Sequence, residues 1–526
     1  MQPVLIVGAG PVGLTTALGL AYYGIPFLIF EEDGSLSLDT KAGTILTRTL
    51  EAFRRYGVAD AVLERALRVE EIGEIERETN VAHASVRTAV LREETRYPFV
   101  VNLPQHHLEP ILREAVEQAP QGRLLMRHRL VSFRSEAGGV VAEFDTPHGR
   151  QCFEGSYLLA CDGGRSTVRA QCGVPVDGVS LDVRYMLVDL KVDLDVANPR
   201  DYPYLAYFSD AQEWMILVRQ PHCWRFLYPL AGDADEPTDE ALRSKVLRFI
   251  GNVDKVELLG RVTYRVHHRI ARQWRRERVF LMGDAAHLIT PMWALGLNTG
   301  VLDAISLPWR LAWVLRGWAD SSLLDGYERE QRPVAADGAG EMAEAARHHM
   351  AMQGQDNPAA AVHEWGHAYT RTLLGVRLDI SGSGDWSMIR NEAEPPPLRV
   401  GERIPDFLLH GPAGRPVRLH DLVDDCFLAL YFADVRRQPG IPHNTSPALR
   451  HFVVSRWDAP LDSGLRDRAL LDVGNHLRDR LGVPDGTLVL VRPDDHVAAI
   501  VPIAAQRAED LYASIVGARA PQGSST

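Results

Sequence analysis

The sequence predicts an α/β protein: a Rossmann-like parallel-sheet domain, an antiparallel sheet inserted into it, and a further α/β unit at the C-terminal end. Three observations predict it. At the amino end, the apolar strand Val4–Val7 runs into Gly8-Ala-Gly10-Pro-Val-Gly13, an apolar helix continues to Tyr23, and a second strand, Phe27–Phe30, ends in Glu31. In the middle, residues 186–192, 204–208, 214–218 and 224–228 are short, aromatic and β-prone. After Pro397, residues 427–432 and 487–491 read as strands with helices between and after them.

The first of these is a dinucleotide fingerprint in its proper setting. The glycines allow a tight turn, close approach of a pyrophosphate and close helix packing, and an acid at the end of the second strand meets ribose hydroxyls. Pro11 sits at the helix start, where a missing N–H costs nothing, and Gly24 is placed to end the helix. An ordinary βαβ unit explains the strands but not three glycines at this spacing. A third buried strand, 157–161, leads into Asp162-Gly163-Gly164-Arg165. Alone, that is a turn signal. A fourth, 278–282, leads into Gly283-Asp284-Ala-Ala-His287, then Pro291, then Gly296-Leu297-Asn298-Thr-Gly300 opening a helix. An Asp at a strand tip accepts hydrogen bonds from a polyhydroxyl chain, and a nearby helix N-terminus favours an anion. Reduced flavin is a ligand of that shape.

The chain resembles the single-component FAD-dependent aromatic hydroxylases similar to 4-hydroxybenzoate hydroxylase. Among them, the longer 3-(3-hydroxyphenyl)propionate-type and polyketide hydroxylases are the nearest in form. The likeness covers most of the sequence. It rests on the fingerprint with Glu31, on Gln105-His-His-Leu-Glu109, on the Asp162-Gly163 turn, and on Gly283-Asp284 with Pro291. A closing tract, 323–333, resembles the family's last helix of this domain. The resemblance implies that Gly8, Gly10, Gly13 and Glu31 hold the ADP half of FAD, with Lys41 and Gln105 along the cofactor. It implies that Gly283 and Asp284 bind the ribityl chain, and that Pro291, Gly296, Leu297 and Asn298 face the ring. Asp162 is expected to serve both FAD and a transient NADH or NADPH. The implied reaction is hydroxylation of a phenolic substrate with O2 through a C4a-hydroperoxyflavin. Three departures stand out. The family commonly has Gly-Gln-Gly ahead of the ring-facing helix, where this chain runs Met292-Trp293-Ala294-Leu295-Gly296-Leu297-Asn298; Lys41 stands where Arg is commoner, and Pro308 is expected to kink or restart its helix.

The implied organisation is an FAD domain of residues 1–75, 98–180 and 266–352, a substrate-binding sheet of 76–97 and 181–265, a linker of 353–397, and a thioredoxin-like unit of 398–526. The last contains a single cysteine, Cys426, so it lacks a dithiol, and we expect it to be structural or a homodimer contact. Length and composition allow two or three domains with a large core: 526 residues, 46% hydrophobic, 24% charged. A net charge of −12 argues against a nucleic-acid surface. Five scattered cysteines carry no metal-ligand spacing and fit a reducing compartment. There is no apolar run long enough for a membrane span, and the expected location is cytoplasmic.

Only one fingerprint is present, so the nicotinamide cofactor is expected to visit rather than reside. The catalytic base is not identified by sequence. Candidates are His267 and His268, where the chain leaves the inserted sheet, and Tyr207 and Tyr228 on it; Arg219 and Arg225 are candidates to hold a substrate carboxylate. Two further readings stand beside a phenol hydroxylase. One is a flavin monooxygenase acting on a polyketide, antibiotic or ketone; the other is a flavin-binding regulatory or interaction protein without turnover.

Overall fold

The computed structural model describes the chain outside residues 37–42, 77–81, 193–201, 210–213, 232, 251–255, 353–375, 384–386, 389–396, 412–413, 434–440, 443–445, 457–462 and 518–526. The elements that position the site are, in order, β1 (Val4–Val7), α1 (Pro11–Tyr22), β2 (Phe27–Glu31), α2 (Thr47–Arg55), β3 (Glu71–Glu76) and α3 (Gln105–Gln118). Then come β4 (Val176–Val192), β5 (Leu205–Ser209), β6 (Met215–Arg219), β7 (Trp224–Ala231), β8 (Val256–Ala271) and β9 (Val279–Leu281). The last are α4 (Leu295–Leu315), α5 (Asp325–Pro333), α6 (Glu341–Met352), β10 (Phe427–Phe432), β11 (Thr487–Val491) and β12 (Val497–Pro502).

The first sheet runs Arg275–Arg276, β9, Leu158–Ala160, β1, β2, Gly122–Met126, all parallel except its two-residue edge. Its central strands, β1, Leu158–Ala160 and β9, are apolar and buried throughout because both faces are covered. The parallel order puts the C-terminal ends of β1, Leu158–Ala160 and β9 side by side, so the three loops expected to grip one ligand leave the sheet at the same edge. The second sheet has eight strands: His287–Leu288, β8, β4, β7, β6, β5, β3, Ala82–Arg87. It reaches beyond the expected boundaries. β3 pairs in parallel with β5, and β4 and β8 pair from Val176↔Ala271 onward, so residues 71–76, 176–180 and 266–271 join the inserted sheet. The expected linker lies mostly outside the described residues. A seven-stranded mixed sheet centred on β10 forms the C-terminal unit.

Pro308 does not break its helix. α4 is continuous from Leu295 to Leu315. The carbonyl that loses its partner to the proline, Ala304 O, accepts the Tyr56 hydroxyl at 3.0 Å. Gly19 of α1 makes room for the ring, since a Cβ there would come within 2.9 Å of Pro308 Cγ.

The C-terminal unit is not an appendage. Its β11–β12 turn, Arg492-Pro493-Asp494-Asp495-His496, enters a buried ionic hub against α2, α4 and α5. Arg48 Nη1 donates to Asp495 Oδ2 at 2.8 Å and Nη2 to Asp494 O at 2.7 Å. Arg55 pairs with the other Asp495 oxygen and with Pro493 O. Trp309 Nε1 donates to Asp494 Oδ2 at 3.1 Å, while Arg492 bridges Asp494 and Glu330. Beside it, Arg403 grips Glu51. Burial alone would raise the Glu51 pKa, yet Arg403, His420 and Arg48 draw the carboxyl down to about 2. A carboxylate held below its unfolded value stabilises fully above about 4.3, and that stabilisation is lost as pH falls through the folded value. We therefore expect unfolding free energy to drop steeply between about pH 4.5 and 2, and the drop to shrink in Glu51→Gln, as measured by denaturant titration at each pH.

Candidate functional site

The nucleotide turn is built by steric necessity. Gly8 has φ +101°, and a Cβ there would lie 2.3 Å from Cys161 O, on the neighbouring strand. A Cβ on Gly13 would lie 2.0 Å from Gly8 O. A Cβ on Gly10, in contrast, meets no described atom within 4 Å. Gly10 is the N-cap of α1, which carries no side-chain cap and no acid in its first turn among the described residues. The open side of the turn therefore presents bare N–H groups and the positive end of a helix. Glu31 closes the far side: its Oε2 accepts Ala9 N at 2.9 Å and its Oε1 accepts Asp33 N at 3.0 Å.

The two Asp turns are tied together. Asp162 Oδ2 accepts Val168 N at 3.0 Å, which caps the short helix Thr167–Gln171, and Oδ1 is buried with no partner among the described residues. Burial raises the Asp162 pKa. Arg169 donates to Ala285 O and to Gly164 O, each at 2.8 Å, and so locks one turn to the other. Asp284 is exposed at the tip of its turn, between buried Gly283 and Ala285. Sequence reasoning missed what holds it: Asp303 Oδ2, on α4, accepts Gly283 N at 2.8 Å and pairs with His287 Nε2 at 2.9 Å. His287 stacks on Trp274 and supports the turn.

The segment before α4 carries strain. Trp293 and Ala294 both sit in the left-handed region, at φ 58° each, a conformation that favours glycine. Each such residue costs about 1 kcal/mol. We expect Ala294→Gly to raise stability by about that amount, read as a higher melting temperature; an unchanged or lower one would contradict it. Pro291, Gly296 and Leu297 are half-buried around this segment. Asn298 is buried in the first turn of α4. Its Oδ1 accepts Leu46 N and Thr49 Oγ1, at 2.9 and 2.6 Å, and its Nδ2 donates to Thr44 O and Ala294 O. The side-chain amide thus fastens α4 to α2 and to the segment before it. Gln105 Nε2 donates to Glu109 at 2.7 Å, one helical turn on. Lys41 lies outside the described residues.

Strand register sorts the inserted sheet into two faces. Toward the first domain, one row runs Tyr264, Tyr185, Pro229; the next runs Val262, Leu187, Leu227, Ile216, Tyr207, Glu74; the third runs Gly260, Asp189, Arg225, Val218, Leu205, Ile72. Buried side chains of this face pack with Met292, Trp293 and Leu295 of the strained segment and with α6. Tyr228 lies on the opposite face, because alternation along β7 turns it away from Leu227; there it packs with Phe226 and Val246 under Lys245. Tyr207 is on the facing side. Arg225 is committed to Asp189 through two bonds of 2.8 and 2.9 Å. Arg219 is turned to the backbone of its own hairpin, at Gln220 O and Cys223 O. His267 bonds Ser180 Oγ at 2.9 Å, and burial, then Arg269, lower its pKa. His268 packs against Gly340, where a Cβ would come within 2.3 Å of its ring.

A cavity of about 370 Å³ opens where the N-terminal turn of α3 meets this face, lined by His106, His107, His222, Gln220, Leu187 and Val262, among others. Gln220 reaches back to Gly43 O at 3.3 Å, so the cavity wall touches the segment leading into α2. None of these histidines was singled out, because nothing in sequence joins residues 106–107 to 222.

The residues present fit FAD. The uncapped α1 with its open Gly10 side suits a pyrophosphate, and Glu31 suits a ribose. The buried, partnerless Asp162 Oδ1 and the exposed Asp284 suit hydroxyl groups of the chain between. Comparison with known proteins agrees. The family model described as FAD binding domain matches residues 1–339. Para-nitrophenol 4-monooxygenase of Pseudomonas sp. (strain WBC-3) is 30% identical over 340 residues, 64% of this chain and 83% of that one. Tetracenomycin B2 monooxygenase-dioxygenase of Streptomyces olivaceus is 30% identical over 541 residues, 94% of each. The flavin-dependent monooxygenase PieE, solved with FAD and substrate, matches with a TM-score of 0.81 at 25% identity, over 98% of this chain and 99% of that one. Aklavinone-11 hydroxylase, solved with FAD and aklavinone, matches at 0.78 and 27% over the same shares. The glycine turn, the paired Asp turns and the facing sheet are therefore those of the FAD-binding-domain family of flavin monooxygenases similar to 4-hydroxybenzoate hydroxylase, to which this chain belongs as an FAD-dependent aromatic hydroxylase.

Proposed function

We propose that the chain hydroxylates a neutral, multi-ring phenol of polyketide type, using FAD, NAD(P)H and O2. One observation carries the substrate class. Of the two candidate arginines, Arg225 on this face donates to Asp189, and Arg219, paired with Trp224 and so on the opposite face, donates to hairpin carbonyls, while the row next to Arg225 is Val262, Leu187, Leu227 and Ile216. Such a face suits a flat apolar ring system better than an aromatic acid. The relatives matched from end to end, through the C-terminal unit, support the same choice: their names mention tetracenomycin B2 and aklavinone.

FAD, when bound, supplies the electron transfer and oxygen activation that side chains cannot. The chain's own contribution is placement. The N-terminus of α4 favours negative charge beside its first turn. The apolar row excludes water from the reacting ring. Asp303 and Arg169 hold the two Asp turns at one spacing. The test is oxidation of NADH and NADPH by the FAD-loaded chain with polycyclic phenols, single-ring phenols and aromatic acids, products read by mass for one added oxygen. Polycyclic phenols are expected to stimulate most. Stimulation by aromatic acids alone would overturn the substrate class, and flavin that no nicotinamide cofactor reduces would favour a protein without turnover.

A further inference from the structure

We propose that the cavity between α3 and the sheet is a subsite for the far, oxygen-bearing end of the substrate, held by His106, His107 and His222, while the Tyr185 hydroxyl takes an oxygen at the other end of the same sheet face. The inference rests on the hydroxylase reading above and names what recognises its substrate.

The sheet face supplies the ruler. Tyr185, Leu187 and Asp189 point the same way from β4, and Leu187 and Asp189 line the cavity. Four residues of strand separate Tyr185 from Asp189 by about 14 Å. Between them the face is Leu187, Leu227 and Val262. At the near end, Tyr185 is fully buried against Trp214 and Tyr264, and its hydroxyl has no partner among the described residues. A buried hydroxyl left unmatched is costly unless a ligand satisfies it. The charged groups acting on it are Arg347 and Glu344 of α6, and Glu344 is itself held by Thr290 Oγ1 at 2.5 Å, next to Pro291. Tyr185 shares its buried cluster with Met292, Trp293 and Leu295 of the strained segment.

At the far end, His107 packs edge-on between His106 and His222, with ring centroids 4.2 and 5.7 Å away. Buried Gln220 Oε1 and His106 Nδ1 have no partner among the described residues. Burial, then the neighbouring imidazole, lowers the pKa of both His106 and His107, so each is neutral near pH 7 and offers one donor and one acceptor. That mixture matches phenol and quinone oxygens. The charged residues of the same wall are paired, Asp189 with Arg225 and Arg261 with Asp239, so the cavity suits a neutral group. A ligand that satisfies both ends is flat, apolar in the middle and oxygenated at its two edges.

The test uses the FAD-loaded chain with two probes, 2,6-dihydroxyanthraquinone, which carries a hydroxyl at each end of its long axis, and single-ring 4-nitrophenol. Wild type, His222→Ala, His107→Ala and Tyr185→Phe are compared by kcat/KM for probe-stimulated NAD(P)H oxidation and by dissociation constants. Each histidine variant is expected to lower the ratio of kcat/KM for the three-ring probe over the one-ring probe about tenfold, mostly through KM. Tyr185→Phe is expected to weaken binding of both probes about tenfold with FAD content unchanged, whereas the same change at the less buried Tyr264 leaves both within about twofold. The one-ring probe reports in each histidine variant that the chain has folded. A ratio unmoved in both histidine variants, or a Tyr185→Phe chain that binds as wild type does, overturns this inference alone. A wild-type chain stimulated by neither probe overturns the hydroxylase reading instead.

Discussion

Replacing Asp495 by Ala is expected to cost the folded chain about 3–5 kcal/mol, the largest single-residue loss of stability outside the apolar core. The reason is not that a buried ion pair is strong. Asp495 is the shared acceptor of Arg48 and Arg55, and all three side chains are 3–5% exposed. Removing the carboxylate leaves buried Arg55 without water and without its counter-charge, and leaves Arg48 to share Glu51 with Arg403, which is far costlier than never having buried them. The damage should not stay in the C-terminal unit. Arg48 and Arg55 lie on α2, whose first turn carries Thr49, and Thr49 holds the Asn298 amide at the start of α4. Thermal unfolding followed by flavin fluorescence reads both effects. A melting temperature within about 2 °C of wild type would mean the hub is dispensable.

Gly10→Ala should separate cofactor binding from folding. A methyl group at Gly10 meets no described atom within 4 Å, so the apo chain is expected to melt as wild type does. The same methyl stands on the open side of the uncapped α1, where a pyrophosphate must approach the N–H groups. FAD affinity is expected to fall at least tenfold, read by titration of the apo chain. Gly13→Ala is the contrast: its methyl would lie 2.0 Å from Gly8 O, so fold and affinity should fail together. Equal FAD affinity in Gly10→Ala and wild type would place the cofactor's phosphates elsewhere.

How far the sequence could be read follows from how local each feature is. The glycine turn, Glu31 and the two Asp turns are legible because their residues lie within a few positions of a strand end. The accommodation of Pro308 inside a continuous helix is not, because the residues that receive it, Tyr56 and Gly19, are some 250 positions away or more. The partners of the Asn298 amide are hidden for the same reason: Leu46 and Thr49 come from another part of the chain. Tyr228 and Tyr207 cannot be told apart by composition, since only strand register decides which face each one takes.

The sequence by itself determined the fold class, the cofactor and the loops that would grip it, because each depends on a short stretch whose steric and capping requirements only a few residue types meet. The tertiary structure alone decided the rest. It spent Arg219 and Arg225 on internal partners, gathered His106, His107 and His222 around one cavity, left the Tyr185 hydroxyl unmatched, and drove the 492–496 turn under α4. Those outcomes depend on which distant groups meet in a water-poor interior, where every polar atom must find a partner. Pairing of that kind is a property of the packed whole, and no local pattern encodes it.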